Sequence, residues 1–324
     1  MKVSVVVPVY NEASNLPELL RRLLLVMDGL KRPYEVLLVD DGSRDRSLDV
    51  LREWAERRPD RIRVLELSRN FGQHQAILAG FRDVTGDAVV TLDADLQNPP
   101  EEIPKLLARI EEGFDAVGGV RVGRHDSAFR RLASALVNRV TVAITRIRLS
   151  DFGCMLRAYS RDVVEEINGC DEAATFIPAL AQTFARRPTE VPVAHAPRAS
   201  GASGYSLYRL VRLNFDLMTG FSAVPLQAVS LLGTIVALSG IAFGLFLLVR
   251  RLVVGAEVEG VFTLFAILFT VLGVAMAAIG IVGEYVGRIY QQVRGRPRFR
   301  VRRAYGLGAP TEAPPAVKRV EGGP

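Results

Sequence analysis

Two long stretches in the second half of the chain carry no charged residue. The first extends from Leu217 to Val249 and the second from Gly260 to Gly283. Each is longer than the roughly 20 apolar residues that a helix needs to cross the hydrocarbon core of a bilayer. Buried helices of a soluble protein are a poor alternative at this length and purity. We therefore predict a transmembrane hairpin at 224–287, with spans at about 224–249 and 261–283.

Positive charge flanks this hairpin on one side. Arg198, Arg209 and Arg212 precede the first span, and a run of arginines follows the second, whereas the connecting loop has only Arg250 and Arg251. Positively charged flanks stay in the cytoplasm. We therefore expect a multi-pass protein with both termini and the larger domain on the cytoplasmic side. Apolar and basic residues mix at 205–223, which predicts an amphipathic helix in the headgroup region.

The residues before the hairpin alternate between strand and helix patterns. Val3–Val9 is a continuous apolar run and is predicted as the first strand. Three further stretches are predicted as strands: Tyr34–Val39, Ile62–Leu67 and Ala88–Leu92. Strands that alternate with helices form a largely parallel sheet covered on both faces. We predict an α/β domain at 1–204, and a basic cytoplasmic segment with a disordered tail at 288–324.

The most informative stretch of this domain is VVTLDADLQNPPEEI, Val89 to Ile103. It begins as a buried strand and places Asp93 and Asp95 one residue apart, so strand alternation would point both carboxylates to one face. Buried like charges need a compensating cation or proton. Mg²⁺ or Mn²⁺ would supply that charge and keep positions open for phosphate oxygens. The alternative is a solvated turn with two ordinary surface acids, because an isolated D-x-D is short and frequent.

Two further polar clusters follow predicted strands. Tyr10-Asn11-Glu12 comes after the first strand, and Asp40-Asp41-Gly42-Ser43 comes after the second. Ligands of parallel sheets bind beyond the carboxyl ends of the strands. No P-loop or glycine-rich dinucleotide fingerprint follows the first strand, which argues against a P-loop NTPase and an ordinary dehydrogenase. The acidic residues after these strands favour a nucleotide-binding site. In such a site carboxylates would contact the base and ribose, and a metal ion would bind the diphosphate.

Three motifs resemble those of inverting GT-A glycosyltransferases of family 2, in the branch that uses polyprenyl phosphate. They are PVYNE (Pro8 to Glu12), DDGSRDRS (Asp40 to Ser47) and LDADLQNPPEE (Leu92 to Glu102). The resemblance covers nearly the whole chain except the tail, and it is greatest to members that transfer 4-deoxy-4-formamido-L-arabinose to undecaprenyl phosphate. Four longer stretches carry that finer resemblance: NFGQHQAILAGF, DFGCMLRAY, TFIPALAQTFARR and GVFTLFAILFT…GEYVGRIY.

The resemblance implies a Rossmann-like GT-A domain and a role for each motif. The resemblance implies that Asp93 and Asp95 are catalytic residues. It also implies that these two residues and Gln97 bind the metal ion and the diphosphate. The implied donor-binding residues are Pro8, Tyr10, Glu12, Asp40 and Asp41.

Basic residues after the predicted strand Asp115–Val120 suit phosphate groups. Arg121, Arg130 and Arg131 could clamp a diphosphate or a lipid phosphate, because a guanidinium matches phosphate oxygens with two donors. A solvated basic helix face is the alternative. Asp151 of the DFG stretch is either a structural turn acid or, by the resemblance, a base or an acceptor-orienting carboxylate. A phosphate nucleophile is already ionised, so Asp151 is expected to orient rather than deprotonate.

A glycine-rich segment before the amphipathic stretch is predicted to be a mobile loop. The resemblance implies that it closes over the donor, with Arg198 and Ser203 as substrate-binding residues. Many relatives have lysine where this chain has Gly204. Either one phosphate contact is missing here, or Arg209 supplies it.

The resulting hypothesis is a bacterial inner-membrane enzyme that moves a sugar from UDP to undecaprenyl phosphate with inversion. The net charge of +6 suits phospholipid and phosphorylated substrates, and we expect no nucleic-acid partner. By resemblance, the sugar is 4-formamido-arabinose, the product serves lipid A modification and antibiotic resistance, and the protein is a homotetramer.

Three alternatives compete with this hypothesis. The first is the same chemistry with glucose or mannose, and the second is a membrane-anchored scaffold that binds a nucleotide sugar without catalysis. The third, a processive polysaccharide synthase, should carry a Q-x-x-R-W motif and more spans. We reject the third because the sole tryptophan is Trp54, in an early helix.

Overall fold

The computed structural model describes residues 1–121, 150–151, 153–170, 176–196, 219, 223–254, 261–294 and 297–306. These residues form two compact units. The first, called the α/β unit here, contains the described residues up to 196 together with 297–306. The second, called the hairpin unit, contains the described residues from 219 to 294.

A single mixed sheet forms the centre of the α/β unit. Its strands are β1 (Val3–Val9), β2 (Tyr34–Asp40), β3 (Ile62–Leu67), β4 (Ala88–Thr91), β5 (Ala116–Arg121), β6 (Arg157–Ser160), β7 (Pro188–Val193) and β8 (Val301–Tyr305). The spatial order is β7-β5-β6-β4-β1-β2-β3-β8. Strands β1 to β4 are mutually parallel, while β6 and β8 run antiparallel to β4 and β3. This architecture confirms the predicted α/β fold with a mostly parallel sheet.

Helices lie between most consecutive strands of the α/β unit. They are α1 (Leu16–Gly29), α2 (Ser47–Arg57), α3 (Gln73–Asp83), α4 (Ile103–Glu111), α5 (Arg161–Gly169) and α6 (Ile177–Phe184), with a 3₁₀ turn at Pro100–Glu102. Every residue of β1 and β2 is buried, as expected for central strands covered on both faces. Five leucines of α1 recur at helical spacing and are buried, whereas Leu25 is exposed; the buried ones are Leu16, Leu19, Leu20, Leu23 and Leu24. Burying each such side chain stabilises the fold by about 1.5–3 kcal/mol.

Strand β8 was not predicted from the sequence. It lies within the segment that we assigned to a basic cytoplasmic tail, and it pairs antiparallel with β3 at the edge of the sheet. Buried Glu66 accepts hydrogen bonds from Arg302 at 3.1 Å and from the Tyr305 hydroxyl at 2.9 Å. The strand thereby covers an edge of β3 that would otherwise expose unpaired backbone groups.

The hairpin unit contains α7 (Val224–Val254) and α8 (Val261–Val293). Two segments are long and apolar enough to cross a membrane, Val224–Phe246 and Thr270–Tyr290, with mean hydropathies of 2.1 and 1.7. The second segment begins later and extends further toward the C-terminus than the predicted span at 261–283, and it contains the Glu284–Arg288 ion pair at 2.8 Å. Most of the predicted amphipathic helix at 205–223 lies outside the described residues.

Candidate active site

The predicted site motifs come together at the carboxyl edge of the sheet. The loops after β1, β2, β3 and β4 meet there because these strands are parallel and adjacent. Strand β6 runs the other way and pairs Arg157 with Thr91, so the residues that precede β6 lie at the carboxyl end of β4. Arg121 ends β5 at the same edge, opposite Val193 of β7.

Backbone-to-side-chain hydrogen bonds connect the first two motifs. The Asn11 N–H donates to Ser43 Oγ at 3.1 Å, and the Arg44 N–H donates to Asn11 Oδ1 at 2.8 Å. The Glu12 N–H donates to Ser47 Oγ at 2.9 Å. These bonds fix the loop after β1 against the loop after β2. Tyr10 is consequently held at this edge and is 41% exposed.

The acids at the end of β2 are buried and bonded to backbone. Asp41 accepts from the N–H groups of Phe71 and Gly72 at 2.7 and 2.8 Å, and Asp40 accepts from the Ser43 N–H at 3.3 Å. Burial raises the pKa of both carboxyl groups, and these hydrogen bonds partly oppose the rise. The described contacts of Asp41 therefore hold the loop between β3 and α3.

Gly42 makes this loop contact geometrically possible. Its φ of 70° lies in the left-handed region, and a Cβ at this position would be 2.6 Å from the carbonyl carbon of Arg69. Glycine is the residue that accepts both conditions without strain. The Gly in DDGSRDRS thus lets the chain at Arg69 pass directly over the end of β2.

The two acids of the D-x-D pair lie in a turn rather than on a strand. Strand β4 ends at Thr91, so the expected alternation along a strand is wrong as the reason for their proximity. Instead, Asp95 Oδ1 accepts from the Gln97 N–H at 3.1 Å, and Leu96 adopts a left-handed φ of 63°. The compact turn, not the strand pleat, brings the carboxylates near one another.

Asp93 lies in an environment that disfavours its negative charge. Burial and the neighbouring charge of Asp95 raise the pKa of Asp93 to about 7, while Arg121 opposes the rise. A divalent cation would relieve both the desolvation and the repulsion. Within the described ranges, no three His, Cys, Asp or Glu side chains converge on a metal position. A metal ion here would therefore depend on Asp93, Asp95, an amide such as Gln97 and oxygens from the substrate.

Asp151 and Arg121 form a two-pronged ion pair next to these acids. Arg121 Nε and Nη2 donate to the two carboxylate oxygens at 2.6 and 2.8 Å, and the Gly153 N–H donates at 3.0 Å. Buried Arg157 donates to the Asp151 carbonyl at 2.6 Å. Burial would lower the pKa of Arg121, but the bond to Asp151 outweighs it and raises that pKa. These contacts favour the orienting role over proton abstraction.

Four predicted site residues cannot be compared with the structure. Arg130, Arg131, Arg198 and Ser203 lie outside the described residues. The described residue Ala196 lies at the start of the predicted glycine-rich loop that carries Arg198 and Ser203. The Ala196 N–H donates to the Gln97 carbonyl at 2.9 Å, which places the start of that loop at the site.

Sequence reasoning missed two amides that contact Asp93. Gln73 and Asn98 each donate to one of its carboxylate oxygens. Both lie inside stretches that carry the resemblance, NFGQHQ and DLQNPP. The two amides could therefore have been singled out as polar residues within these motifs. No spacing rule, however, indicates that α3 and the D-x-D turn come into contact.

Comparison with known proteins defines the class. The family model described as glycosyl transferase family 2 matches residues 4–167, and the chain belongs to that family. It is a glycosyltransferase, as the motifs predicted.

Among curated proteins, the chain is 52% identical over 304 residues to the undecaprenyl-phosphate 4-deoxy-4-formamido-L-arabinose transferase of Klebsiella pneumoniae, covering 93% of each. It is 50% identical over 312 residues to the Edwardsiella ictaluri protein of the same name, covering 96% of each. A solved structure, glucosyl-3-phosphoglycerate synthase from Mycobacterium tuberculosis in complex with Mn²⁺, UDP and phosphoglyceric acid, aligns with a TM-score of 0.49 at 19% identity, covering 68% of this chain and 76% of that one.

Proposed function

We propose that this protein transfers 4-deoxy-4-formamido-L-arabinose from its UDP-sugar to undecaprenyl phosphate, with inversion. The observation that carries the proposal is the 52% identity over 93% of both chains to a relative of that name. Such identity spans the motifs of the carboxyl edge as well as the two apolar helices. The product would supply lipid A modification.

The aspartate turn is the proposed metal and diphosphate site. Asp93, Asp95 and Gln97 would hold Mg²⁺ or Mn²⁺, which supplies positive charge for the departing diphosphate. The raised pKa of Asp93 supports this assignment, because burial and Asp95 make a negative charge at that position unfavourable without a cation. Pro8, Tyr10 and Glu12 with the acids of β2 would form the nucleoside side of the pocket.

The Arg121–Asp151 pair is the proposed acceptor side. A lipid phosphate is ionised near neutral pH, so the reaction needs a nucleophile in position more than it needs a base. The Asp151 carboxylate accepts hydrogen bonds from the Arg121 guanidinium and backbone N–H and from the Gly153 N–H, and thereby fixes the guanidinium at the end of β5. Arg121 would then present positive charge to a phosphate group that approaches Asp93.

The connectivity of the α/β unit supports a cytoplasmic catalytic domain. Residues before the hairpin and β8 after it belong to one sheet. A folded unit on one side of a bilayer would require the hairpin to begin and end on that side. The arginine-rich flanks favour the cytoplasm as that side, where nucleotide sugars are made.

A product assay tests the proposal against its alternatives. Purified full-length protein in nanodiscs receives undecaprenyl phosphate and either UDP-4-deoxy-4-formamido-L-arabinose or UDP-glucose, and mass spectrometry identifies the lipid. We expect the formamido-arabinosyl lipid and no glucosyl lipid. A glucosyl product would support the alternative polyprenyl-phosphate glucosyltransferase, and donor binding without any product would support the non-enzymatic scaffold.

The homo-oligomer implied by resemblance is a separate proposal. Light scattering of the detergent-solubilised protein would give a protein mass of four chains if the tetramer forms. A mass of one chain would contradict it.

A further inference from the structure

Two side-chain amides contact opposite oxygens of the Asp93 carboxylate. Gln73 Nε2 donates to Oδ1 at 2.6 Å, and Asn98 Nδ2 donates to Oδ2 at 3.2 Å. The two amides come from different parts of the chain, Gln73 from the first turn of α3 and Asn98 from the turn after Asp95. Together they restrict rotation of the carboxylate about its terminal bond.

The orientation of each amide follows from the chemistry of its partner. Both amides donate to carboxylate oxygens, so each directs its NH₂ group toward Asp93. For Asn98 a second contact agrees with this orientation, since Cys154 Sγ lies 3.8 Å from Asn98 Oδ1. Burial raises the pKa of the Cys154 thiol to about 11. The thiol therefore keeps its proton and donates to the Asn98 carbonyl.

The position of Gln73 is in turn fixed from the nucleotide side of the site. Asp41 accepts from the N–H groups of Phe71 and Gly72, the two residues that directly precede Gln73. Gly72 has a φ of 97°, which favours glycine and turns the chain into α3. A continuous series of contacts thus runs from Asp41 through this loop to Gln73 and Asp93.

We propose that Gln73 and Asn98 are positioning residues that hold the Asp93 carboxylate for the divalent cation. Asp41 acts on the same carboxylate through the Phe71–Gly72 loop. The inference rests on the proposed function, because it assigns the cation to Asp93. Partners that hydrogen-bond a metal-binding side chain typically change metal affinity or activity by about 10- to 100-fold when they are removed.

Mn²⁺ binding measures this positioning without reference to turnover. The full chain in nanodiscs is titrated with Mn²⁺ alone, and free Mn²⁺ is followed by electron paramagnetic resonance. We expect Gln73→Leu and Asn98→Ala to raise the Kd for Mn²⁺ by about 10- to 100-fold. Gln182→Leu makes the same chemical change on α6, outside the residues assigned to the site, and should keep the wild-type Kd.

Two variants of Cys154 test the orientation of Asn98. Cys154→Ser retains a donor toward the Asn98 carbonyl, whereas Cys154→Val fills similar space without one. We expect the serine variant to bind Mn²⁺ like wild type and the valine variant to bind it about 3-fold or more weakly. Equal affinities of the two variants would contradict a role for the thiol.

Steady-state kinetics separate positioning from general damage. Gln73→Leu should lower kcat and leave the KM for undecaprenyl phosphate unchanged, because the amide contacts the metal side of the site. Gln73→Ala repeats the test with a smaller side chain, and the Tm of each variant reports whether the fold is kept. A wild-type Kd for Mn²⁺ in both folded Gln73 variants would overturn the inference.

Asp93→Asn distinguishes this inference from the function on which it rests. If Asp93→Asn loses Mn²⁺ binding while the Gln73 and Asn98 variants keep it, the positioning inference is wrong and the metal site stands. If Asp93→Asn itself binds Mn²⁺ like wild type, the assignment of the cation to Asp93 is wrong, and the positioning inference is wrong with it.

Discussion

The α/β unit and the hairpin unit both break the rule that apolar side chains are buried and charged side chains exposed, and they break it in opposite directions. The α/β unit buries Asp40, Asp41 and Asp151 at one edge of its sheet. The hairpin unit exposes large apolar side chains along both helices, such as Leu238 on α7 and Leu272 on α8. Each departure suits a different environment for that part of the chain.

In the α/β unit, each of these buried acids has hydrogen-bond partners at the end of a strand. Burying a carboxylate is unfavourable unless hydrogen bonds or a cation compensate it. The bonds from Phe71, Gly72 and Arg121 supply part of that compensation. In the hairpin unit, lipid tails would surround the exposed leucines and solvate them as well as a protein core does. The cluster of buried acids at one edge of the sheet therefore suits a binding site, and the continuous exposure of apolar side chains along both helices suits a lipid environment.

Breaking the Arg121–Asp151 pair should have the largest effect on stability. Its side chains are 15% and 6% exposed, so solvent screens them little. Asp151→Ala leaves the Arg121 charge buried without this carboxylate and should lower the free energy of unfolding by about 3–5 kcal/mol. Denaturant unfolding of the detergent-solubilised protein measures this change.

The double variant Asp151→Ala/Arg121→Ala sharpens the test. Removing both charges eliminates the orphaned guanidinium, so the double variant should lose less stability than the two single variants summed. Additive losses would show that the pair is not energetically coupled.

The same substitution in both units tests the comparison itself. Leu38 in β2 is 0% exposed, and Leu238 in α7 is 62% exposed. Leu38→Ala should cost about 2–5 kcal/mol through lost burial and a cavity. Leu238→Ala, measured in nanodiscs, should change stability by no more than about 0.5 kcal/mol, because lipid replaces the lost methyl groups. A large loss at Leu238 would reveal protein packing on that face.

The smallest effect is expected at β8, where the chain returns from the hairpin to the sheet. Tyr305→Phe removes the hydroxyl that donates to buried Glu66 at 2.9 Å. Since Arg302 still donates to Glu66, the loss should be about 1 kcal/mol. Arg303→Gln, exposed on the same strand, is the matched control and should unfold like wild type. Equal stability of Tyr305→Phe and wild type would show that the Tyr305 hydroxyl contributes nothing to the stability of β8.

The elements that follow simple periodicity could be predicted from the sequence. Strands β1 to β4 are rich in Val, Leu and Ile, and α1 repeats leucine at helical spacing, so these elements follow from the pattern of apolar residues. Strand β8 could not be predicted in this way. Its sequence, VRRAY, is short and basic, and it becomes a strand because the edge of β3 offers backbone partners.

The site was predictable in its residue types but not in its contacts. The aspartates of the D-x-D turn were found because their carboxylates are unusual after a buried strand. The partner of Asp151 was not found, because 30 residues separate it from Arg121 and only the sheet brings them together. The contact between Gln73 and Asp93 was not predicted for the same reason, because 20 residues separate them in the sequence.

The most direct test of the account measures the rate of sugar transfer to undecaprenyl phosphate by the Asp93→Asn and Asp95→Asn variants. It tests whether these two aspartates form the metal and diphosphate site. The wild type and both variants receive UDP-4-deoxy-4-formamido-L-arabinose with Mn²⁺ or Mg²⁺, before and after chelation with EDTA, and the Tm of each protein is recorded. We expect each folded variant to lose about 100- to 1,000-fold in kcat, and EDTA to abolish wild-type transfer until metal is restored. Wild-type turnover by either folded variant would contradict the account.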